Sequence, residues 1–290
     1  KIMSNKGQLV KKMLMVKLNI SYDTGYRNSS EMKELIEGEK NVSSSAIRTG
    51  ITMFDKYQIS EFTTAISRAR SLYTGETLPW DSRNWRVIPV SAWSKFKDEL
   101  DTAIENVKEA YEKVFDDGYN ELKEEFDDNI KGSLDIEFPD KEDLADKFNI
   151  DYDIGQIASC DDIRIQGIDH IERDKIRNDM QKQYQEKMDT GLTELASRLV
   201  EASQDIAIRA NDPNQKGKKY SKSLSNINKL ADTVEALNIT GNDAIADACS
   251  TIRTQIGTYS AEAIKTTESI RENVLEATTS IRDSLSKVSL

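Results

Sequence analysis

Residues that interrupt helices are scarce in this chain of 290 residues, which contains 4 prolines and 13 glycines. Proline and glycine are the residues that most often end or break a helix. Their scarcity predicts secondary-structure elements that are few and long. Apolar residues make up 37% of the chain and charged residues 31%, a balance typical of long helices that each bury one apolar stripe.

Residues that supply common catalytic and metal-binding groups are scarce as well. His170 is the only histidine, which excludes most catalytic triads and histidine-based metal sites. The two cysteines, Cys160 and Cys249, lie far apart and match no zinc-binding spacing, so we interpret them as reduced thiols. No glycine-rich phosphate loop is present. We therefore expect a protein that is not an enzyme and has no catalytic residue, bound metal or cofactor.

The alternative to a protein without a bound metal is a cation site formed by four aspartates. Asp161 and Asp162 lie near Asp151 and Asp153 in the sequence, and together they supply the oxygen ligands that hard cations prefer. Their spacing is not that of an EF-hand, so a solvated acidic hairpin is the favoured interpretation.

Long apolar runs are absent too. The longest is Met13-Leu14-Met15-Val16, whereas a membrane-spanning helix needs roughly 20 apolar residues. No signal-peptide pattern comes after the lysines near the start, so we expect an intracellular protein. The net charge of −11 disfavours nucleic-acid binding unless a basic patch is segregated from the acidic residues.

Three long apolar stripes predict the main helices. In residues 91–130, 170–211 and 243–290, apolar side chains recur mostly every three or four residues. The first two segments match in length and pattern, which predicts an antiparallel pair closed at its far end by residues 132–167. The fold class we expect is mainly α, an elongated bundle of long antiparallel coiled-coil-like helices with a small β-hairpin insert and a short N-terminal strand.

Shorter patterns predict the strands and the remaining helices. Apolar and polar residues alternate from Val16 to Tyr22, which predicts a half-buried N-terminal strand. Alternation on both sides of a turn at 159–162 predicts a hairpin over 149–167. Helices are predicted over 32–38, over 45–72 with a break near Gly50, and after the Pro/Gly-containing break at 211–217.

These elements suggest three consecutive segments. Residues 1–90 hold the strand, the short helices and a Trp/Pro loop. Residues 91–211 hold the long helical pair with an α/β tip at 132–167. Residues 212–290 form a C-terminal helical hairpin, whose last helix either folds back or swaps between chains.

The Trp/Pro loop runs from Thr77 to Pro89, directly before the first long helix. Aromatic rings beside proline form a small core over helix ends more often than a stacking site for bases or sugars. A lysine cluster near 216–222 either contacts phosphates or only adds solubility. The residues that we predict to bind a partner are Trp80, Trp85, Trp93, Lys216, Lys218, Lys219 and Lys222.

The Trp/Pro loop and two later segments carry a recognisable motif. The motif consists of Thr77-Leu78-Pro79-Trp80-Asp81, then Arg86-Val87-Ile88-Pro89 and a long charged helix, and later Phe138-Pro139 and Glu142-Asp143-Leu144. It resembles a phage and bacterial family filed as a domain of unknown function, over roughly residues 13–239. Asn84 and Trp85 depart from that pattern, which has small or glycine residues there.

The resemblance implies a bacteriophage or prophage origin and a location in the cytoplasm of the infected bacterial host. Genes of this family accompany a MoxR-like AAA+ ATPase and a von Willebrand A-type protein. The resemblance therefore implies an adaptor or assembly role, with an AAA+ ATPase as a partner, by analogy alone.

The sequence as a whole predicts a non-enzymatic structural or interaction protein. Such a scaffold or adaptor assembles through its helical stripes with itself, as a homo-oligomer, or with a protein partner. The alternative is a nucleic-acid-associated phage factor that uses Lys11, Lys12 and the lysines of 216–222. Rearrangement into a membrane pore is disfavoured, because no apolar hairpin is present.

Overall fold

The structure is a computed structural model that describes residues 12–40, 49–130, 136–158, 169–211, 218–286 and Val288. It is mainly helical, with a small antiparallel sheet. The described elements are β1 (Met13–Ser21), β2 (Tyr26–Asn28), α1 (Ser30–Lys40), β3 (Gly50–Thr52), α2 (Ser60–Gly75), β4 (Leu78–Pro79), β5 (Arg86–Pro89), α3 (Val90–Tyr111), the π-helix π1 (Glu112–Asp117), α4 (Tyr119–Ile130), α5 (Lys141–Lys147), β6 (Asn149–Gln156), α6 (His170–Asn211), α7 (Lys218–Leu237), α8 (Asp243–Thr251), the π-helix π2 (Ile252–Ile256), α9 (Ala261–Thr266) and α10 (Glu268–Leu285).

The chain forms two compact units, each of which combines separate stretches of sequence. Unit 1 consists of Lys1–Lys17, Thr74–Phe96 and Ile154–Leu290, and unit 2 of Leu18–Tyr73 and Lys97–Asp153. These units cut across the three consecutive segments suggested by the sequence, and that division stays a prediction.

The larger sheet has the strand order β4-β5-β1-β6. β1 confirms the predicted N-terminal strand, which begins three residues earlier than the alternation of Val16 to Tyr22 suggests. β1 runs antiparallel to β5, with Met13 opposite Pro89 and Val16 opposite Arg86. Val16 is fully buried, because this strand supplies apolar side chains to the core.

The Trp/Pro loop is in fact a short β-hairpin. β4 pairs antiparallel with β5, with Leu78 opposite Val87 and Pro79 opposite Arg86. Proline is tolerated at the edge of a sheet, where its missing N–H costs no ladder hydrogen bond, and β4 is the outer strand in the order above. The segment contains two prolines and its first strand is only two residues long, so its sequence is typical of a loop.

A second sheet corrects the helix predicted over 45–72. β2 and β3 pair antiparallel, with Arg27 opposite Ile51, and the helix α2 begins only at Ser60. Ile51 in β3 and Phe54 in the bend after it are both buried. α2 ends at Gly75, three residues beyond the predicted end, and residues 45–48 lie outside the described part of the chain.

Phe62 lies in an aromatic cluster in unit 2. Its ring meets four other rings edge to face, with centroids 5.2 to 5.8 Å away, on Tyr22, Tyr111, Phe115 and Phe148. Such edge-to-face pairs add attraction beyond the burial of apolar area. These contacts join Tyr22, directly after β1, to α2, α3, π1 and Phe148 before β6.

The helix predicted over 91–130 is interrupted in the middle. α3 ends at Tyr111, π1 follows, and α4 starts after Gly118. Gly118 N–H donates to the Lys113 carbonyl oxygen at 3.1 Å, the wider hydrogen bond of a π-turn. The apolar stripe survives the interruption: Leu100, Val107, Val114, Leu122 and Phe126 are all buried.

α6 does not bury its apolar stripe in the way the sequence suggests. It packs mainly against α7 and α10 within unit 1, and the antiparallel pair with the 91–130 helix stays a prediction. The helix predicted after the 211–217 break is confirmed as α7. The elongated coiled-coil arrangement stays a prediction.

The continuous helix predicted over 243–290 is wrong. α8 passes into π2 and then a turn at Gly257, where Gly257 N–H donates to the Ile252 carbonyl oxygen at 2.7 Å. Ser260 Oγ then accepts a hydrogen bond from Ala263 N–H at 3.1 Å and caps α9. α10 packs against both α6 and α8, so the C-terminal segment folds back on its own unit.

The hairpin predicted over 149–167 is present in part. Its first strand is β6, the neighbour of β1 in the larger sheet. The turn at 159–162 and the second strand lie outside the described residues.

Candidate functional site

Trp80 belongs to the core of unit 1. Only 6% of the residue is exposed, and its ring centroid lies 5.6 Å from that of Tyr184 on α6. The ammonium group of Lys187 lies 4.5 Å from the Trp80 ring centroid, a distance at which a cation–π attraction operates. These contacts attach the β4–β5 hairpin to α6.

The other two tryptophans are half-buried. Asp81 Oδ1 accepts hydrogen bonds from the N–H groups of Arg83 and Trp85, at 2.9 and 3.2 Å, and this turn chemistry sets the hairpin tip. The ring of Trp85 lies against Gly155 of β6, where a Cβ atom would be 3.3 Å from it. Trp93 packs on Phe96 with ring centroids 5.9 Å apart. Each tryptophan has a structural role, and binding of a partner to them stays a prediction.

A narrow apolar cleft lies beside Trp80. Its volume is about 10 Å³, which is close to the space of one water molecule and far below the several hundred Å³ of typical ligand pockets. The cleft is lined by Leu78, Pro79, Trp80, Val87, Lys187, Met188, Gly191, Leu192, Leu195, Leu237, Ile239 and Thr240.

An open depression lies along α2. Its volume is about 360 Å³, and it is lined by the polar residues Thr63, Thr64, Ser67, Arg68 and Ser71. The Thr63 hydroxyl donates to the Ile59 carbonyl oxygen, and the Ser67 hydroxyl to that of Thr63, at 3.1 and 2.8 Å. These two hydroxyls bond the backbone of their own helix, so the arrangement does not resemble an activated nucleophile.

Two arginines and one glutamate of unit 1 form a network of hydrogen bonds and ion pairs around the C-terminal end of α2. Arg198 donates to the carbonyl oxygens of Thr74, Gly75 and Thr77, at 2.7, 2.7 and 2.8 Å. Arg86 also donates to the Thr77 carbonyl oxygen, at 2.9 Å, and both arginines bond Glu194. Helix C-termini leave carbonyl oxygens without intrahelical partners, and cations are favourable there. This network is therefore structural, and sequence reasoning missed it.

A second network surrounds Asp23 in unit 2. Asp23 accepts hydrogen bonds from Arg27 Nη1 and from Gly25 N–H, both at 2.8 Å, and from Lys147 Nζ at 2.9 Å. The Arg27 guanidinium is the main cause that holds the pKa of this nearly buried carboxyl far below its usual range. The turn signal Asp23-Thr24-Gly25 is visible in the sequence, whereas the contact with Lys147 is not.

The side chains of the predicted lysine cluster lie outside the part of the molecule that the structure describes. Lys216 is not among the described residues. The backbone places Lys218, Lys219 and Lys222 in the first turns of α7. Their role in binding stays a prediction.

The aspartates of β6 serve as hydrogen-bond acceptors. Asn19 Nδ2 donates to Asp151 Oδ1 at 2.8 Å and to Asp153 Oδ2 at 3.0 Å. Hydrogen bonds from Asn149 and Asn19 lower the pKa of Asp151. In the described ranges no three His, Cys, Asp or Glu side chains are grouped to hold a metal ion, and Asp161 and Asp162 lie outside those ranges.

The two remaining candidate reactive residues do not form a site together. His170 is exposed at the start of α6. Cys249 is fully buried on α8, and burial raises the pKa of its thiol to about 11. A thiol with such a pKa is a poor nucleophile at neutral pH. Cys160 is not among the described residues.

The first half of α6 differs from the second half in its burial. Every residue of 170–190 is exposed or half-buried, whereas the rest of the helix buries Gly191, Leu195, Leu199 and Ile206. Ile171 is 58% exposed. We call residues 170–190 the open half of α6.

Comparison of the chain with models of protein families, with curated proteins and with solved structures gives no match. The resemblance of the Thr77–Pro89 motif to a phage and bacterial family stays a prediction. Across the described residues, no helix combines the length and the apolar character needed to cross a membrane.

Proposed function

We propose that the protein is a non-enzymatic structural or interaction protein that assembles through the open half of α6. The observation that supports this proposal is a stretch of helix, residues 170–190, in which no residue is buried, although Tyr184 and Lys187 near its end contact Trp80. At 1.5 Å per residue this stretch is about 30 Å long.

The physical reason lies in how helices are stabilised. Helices in proteins owe most of their stability to the packing of an apolar face, and residues 170–190 bury no side chain of such a face. The open half exposes Ile171, while Ile176 and Met180 are only half-buried. A docked helix would remove these side chains from water and stabilise this stretch, so the open half is suited to association.

We propose a second copy of the chain as the first partner, which makes the protein a homo-oligomer. The resemblance of the loop motif adds an AAA+ ATPase as a protein partner and the cytoplasm of a phage-infected bacterium as the location. A role as scaffold or adaptor combines these proposals. The nucleic-acid alternative, which depends on Lys11, Lys12 and the lysines of 216–222, is placed second, because the net charge of −11 repels nucleic acid.

Light scattering over a range of protein concentrations tests the assembly. We expect the wild-type mass to rise with concentration and the rise to be weakened at least tenfold in Ile171→Glu, because a carboxylate in a helix interface is costly. Ile154→Glu is the matched control: Ile154 is 54% exposed and lies on β6. A monomeric wild type at every concentration contradicts assembly with itself.

Hydrogen exchange locates the surface. If the open half of α6 is the interface, the amides of residues 170–190 become more protected as concentration rises, while those of exposed β6 residues do not change. If amide protection rises with concentration only in another element, the protein forms an oligomer but the open half of α6 is not its interface. A pull-down with the Ile171→Glu and Ile154→Glu proteins as baits applies the same comparison to a protein partner.

A further inference from the structure

We draw no further inference here: the strongest candidate, the carboxylate-rich surface of α3, π1 and α4 in unit 2, is a cluster of acidic side chains beside which the described residues hold no group that points to a ligand.

Discussion

Asn228 of α7 and Gly257 after π2 are in such close contact that a methyl group on the glycine would force the Asn228 side chain to move. Asn228 Nδ2 donates a hydrogen bond to the Gly257 carbonyl oxygen at 3.1 Å. A Cβ atom built on Gly257 would lie 1.9 Å from Asn228 Oδ1. This contact joins α7 to the turn between π2 and α9.

Replacement of Gly257 by alanine is expected to destabilise the protein by about 1–3 kcal/mol, because the Asn228 amide must rotate away and lose its hydrogen bond. Urea unfolding followed by circular dichroism measures the change. The double variant Asn228→Ala/Gly257→Ala should be more stable than the sum of the two single changes predicts, since the clash is then absent. Simple additivity of the two changes would show that the contact is not the cause.

Gly25 and Gly241 provide a comparison of backbone strain with and without a steric clash. Both have a positive φ, +70° and +65°. A Cβ atom on Gly25 would lie 2.4 Å from the ring of Phe54, whereas one on Gly241 would meet nothing within 4 Å. Gly241→Ala should cost about 1 kcal/mol, the strain of the left-handed conformation alone. Gly25→Ala should cost about 2–4 kcal/mol by the same urea titration, because overpacking adds to the strain.

Equal losses in the two alanine variants would contradict the close approach of Phe54. The variant Phe54→Leu in the Gly25→Ala background is a further check. It should recover part of the lost stability, because a smaller side chain leaves room for the new methyl group.

Asp23 is expected to make stability depend on pH on the acid side. Its folded-state pKa is lowered, chiefly by the hydrogen bond from Arg27, so its contribution is complete above the unfolded-state value of about 4 and is lost as pH falls below it. Asp23→Asn should lower stability by about 1–3 kcal/mol at pH 7. The gap between variant and wild type should narrow as the pH is lowered from about 4 to about 2, as measured by urea unfolding at each pH.

The exposed residue Asp98 is the control for this prediction. Asp98→Asn should stay within about 0.5 kcal/mol of the wild type at pH 7. A gap for Asp23→Asn that stays constant down to about pH 2 would mean that the carboxylate is not the source of the lost stability.

Arg198 is expected to be intolerant of lysine. Its guanidinium reaches three carbonyl oxygens at the end of α2, and its side chain is 16% exposed. A lysine ammonium is a point charge and cannot reproduce that fork, so Arg198→Lys should cost about 1–3 kcal/mol in urea unfolding. Arg282→Lys is the control, because the Arg282 side chain is 54% exposed and should tolerate the change within about 0.5 kcal/mol. If Arg198→Lys leaves the free energy of unfolding unchanged, the hydrogen bonds of Arg198 do not stabilise the protein.

The sequence predicted those elements whose own residues show a regular spacing of apolar side chains. The alternation after Val16 predicted β1, and the helical spacing after Tyr220 predicted α7. The interruption at π1 also had a signal: the apolar stripe steps by five residues from Val114 to Tyr119, which is the spacing of an inserted residue. Steps of three and four on both sides made the helix look continuous.

Other features depend on residues that are distant in the sequence. Arg86 and Arg198 meet at the same carbonyl oxygen of Thr77, and no local pattern connects them. β3 is only three residues long and lies next to a helical pattern, so its partner β2 decides its conformation. For the same reason, no local pattern around the tryptophans that we predict to bind a partner distinguishes a packed ring from an exposed one.

The interleaved order of the two units has a consequence for synthesis on the ribosome. The stretches of unit 2 end at Asp153, while unit 1 also requires Ile154–Leu290. Growing chains fold their domains as the necessary residues emerge, so unit 2 can become compact while most of unit 1 has still to be translated. The apolar residues of β4, β5 and most of β1 that belong to the core of unit 1 can complete that core only after α6 to α10 have been synthesised.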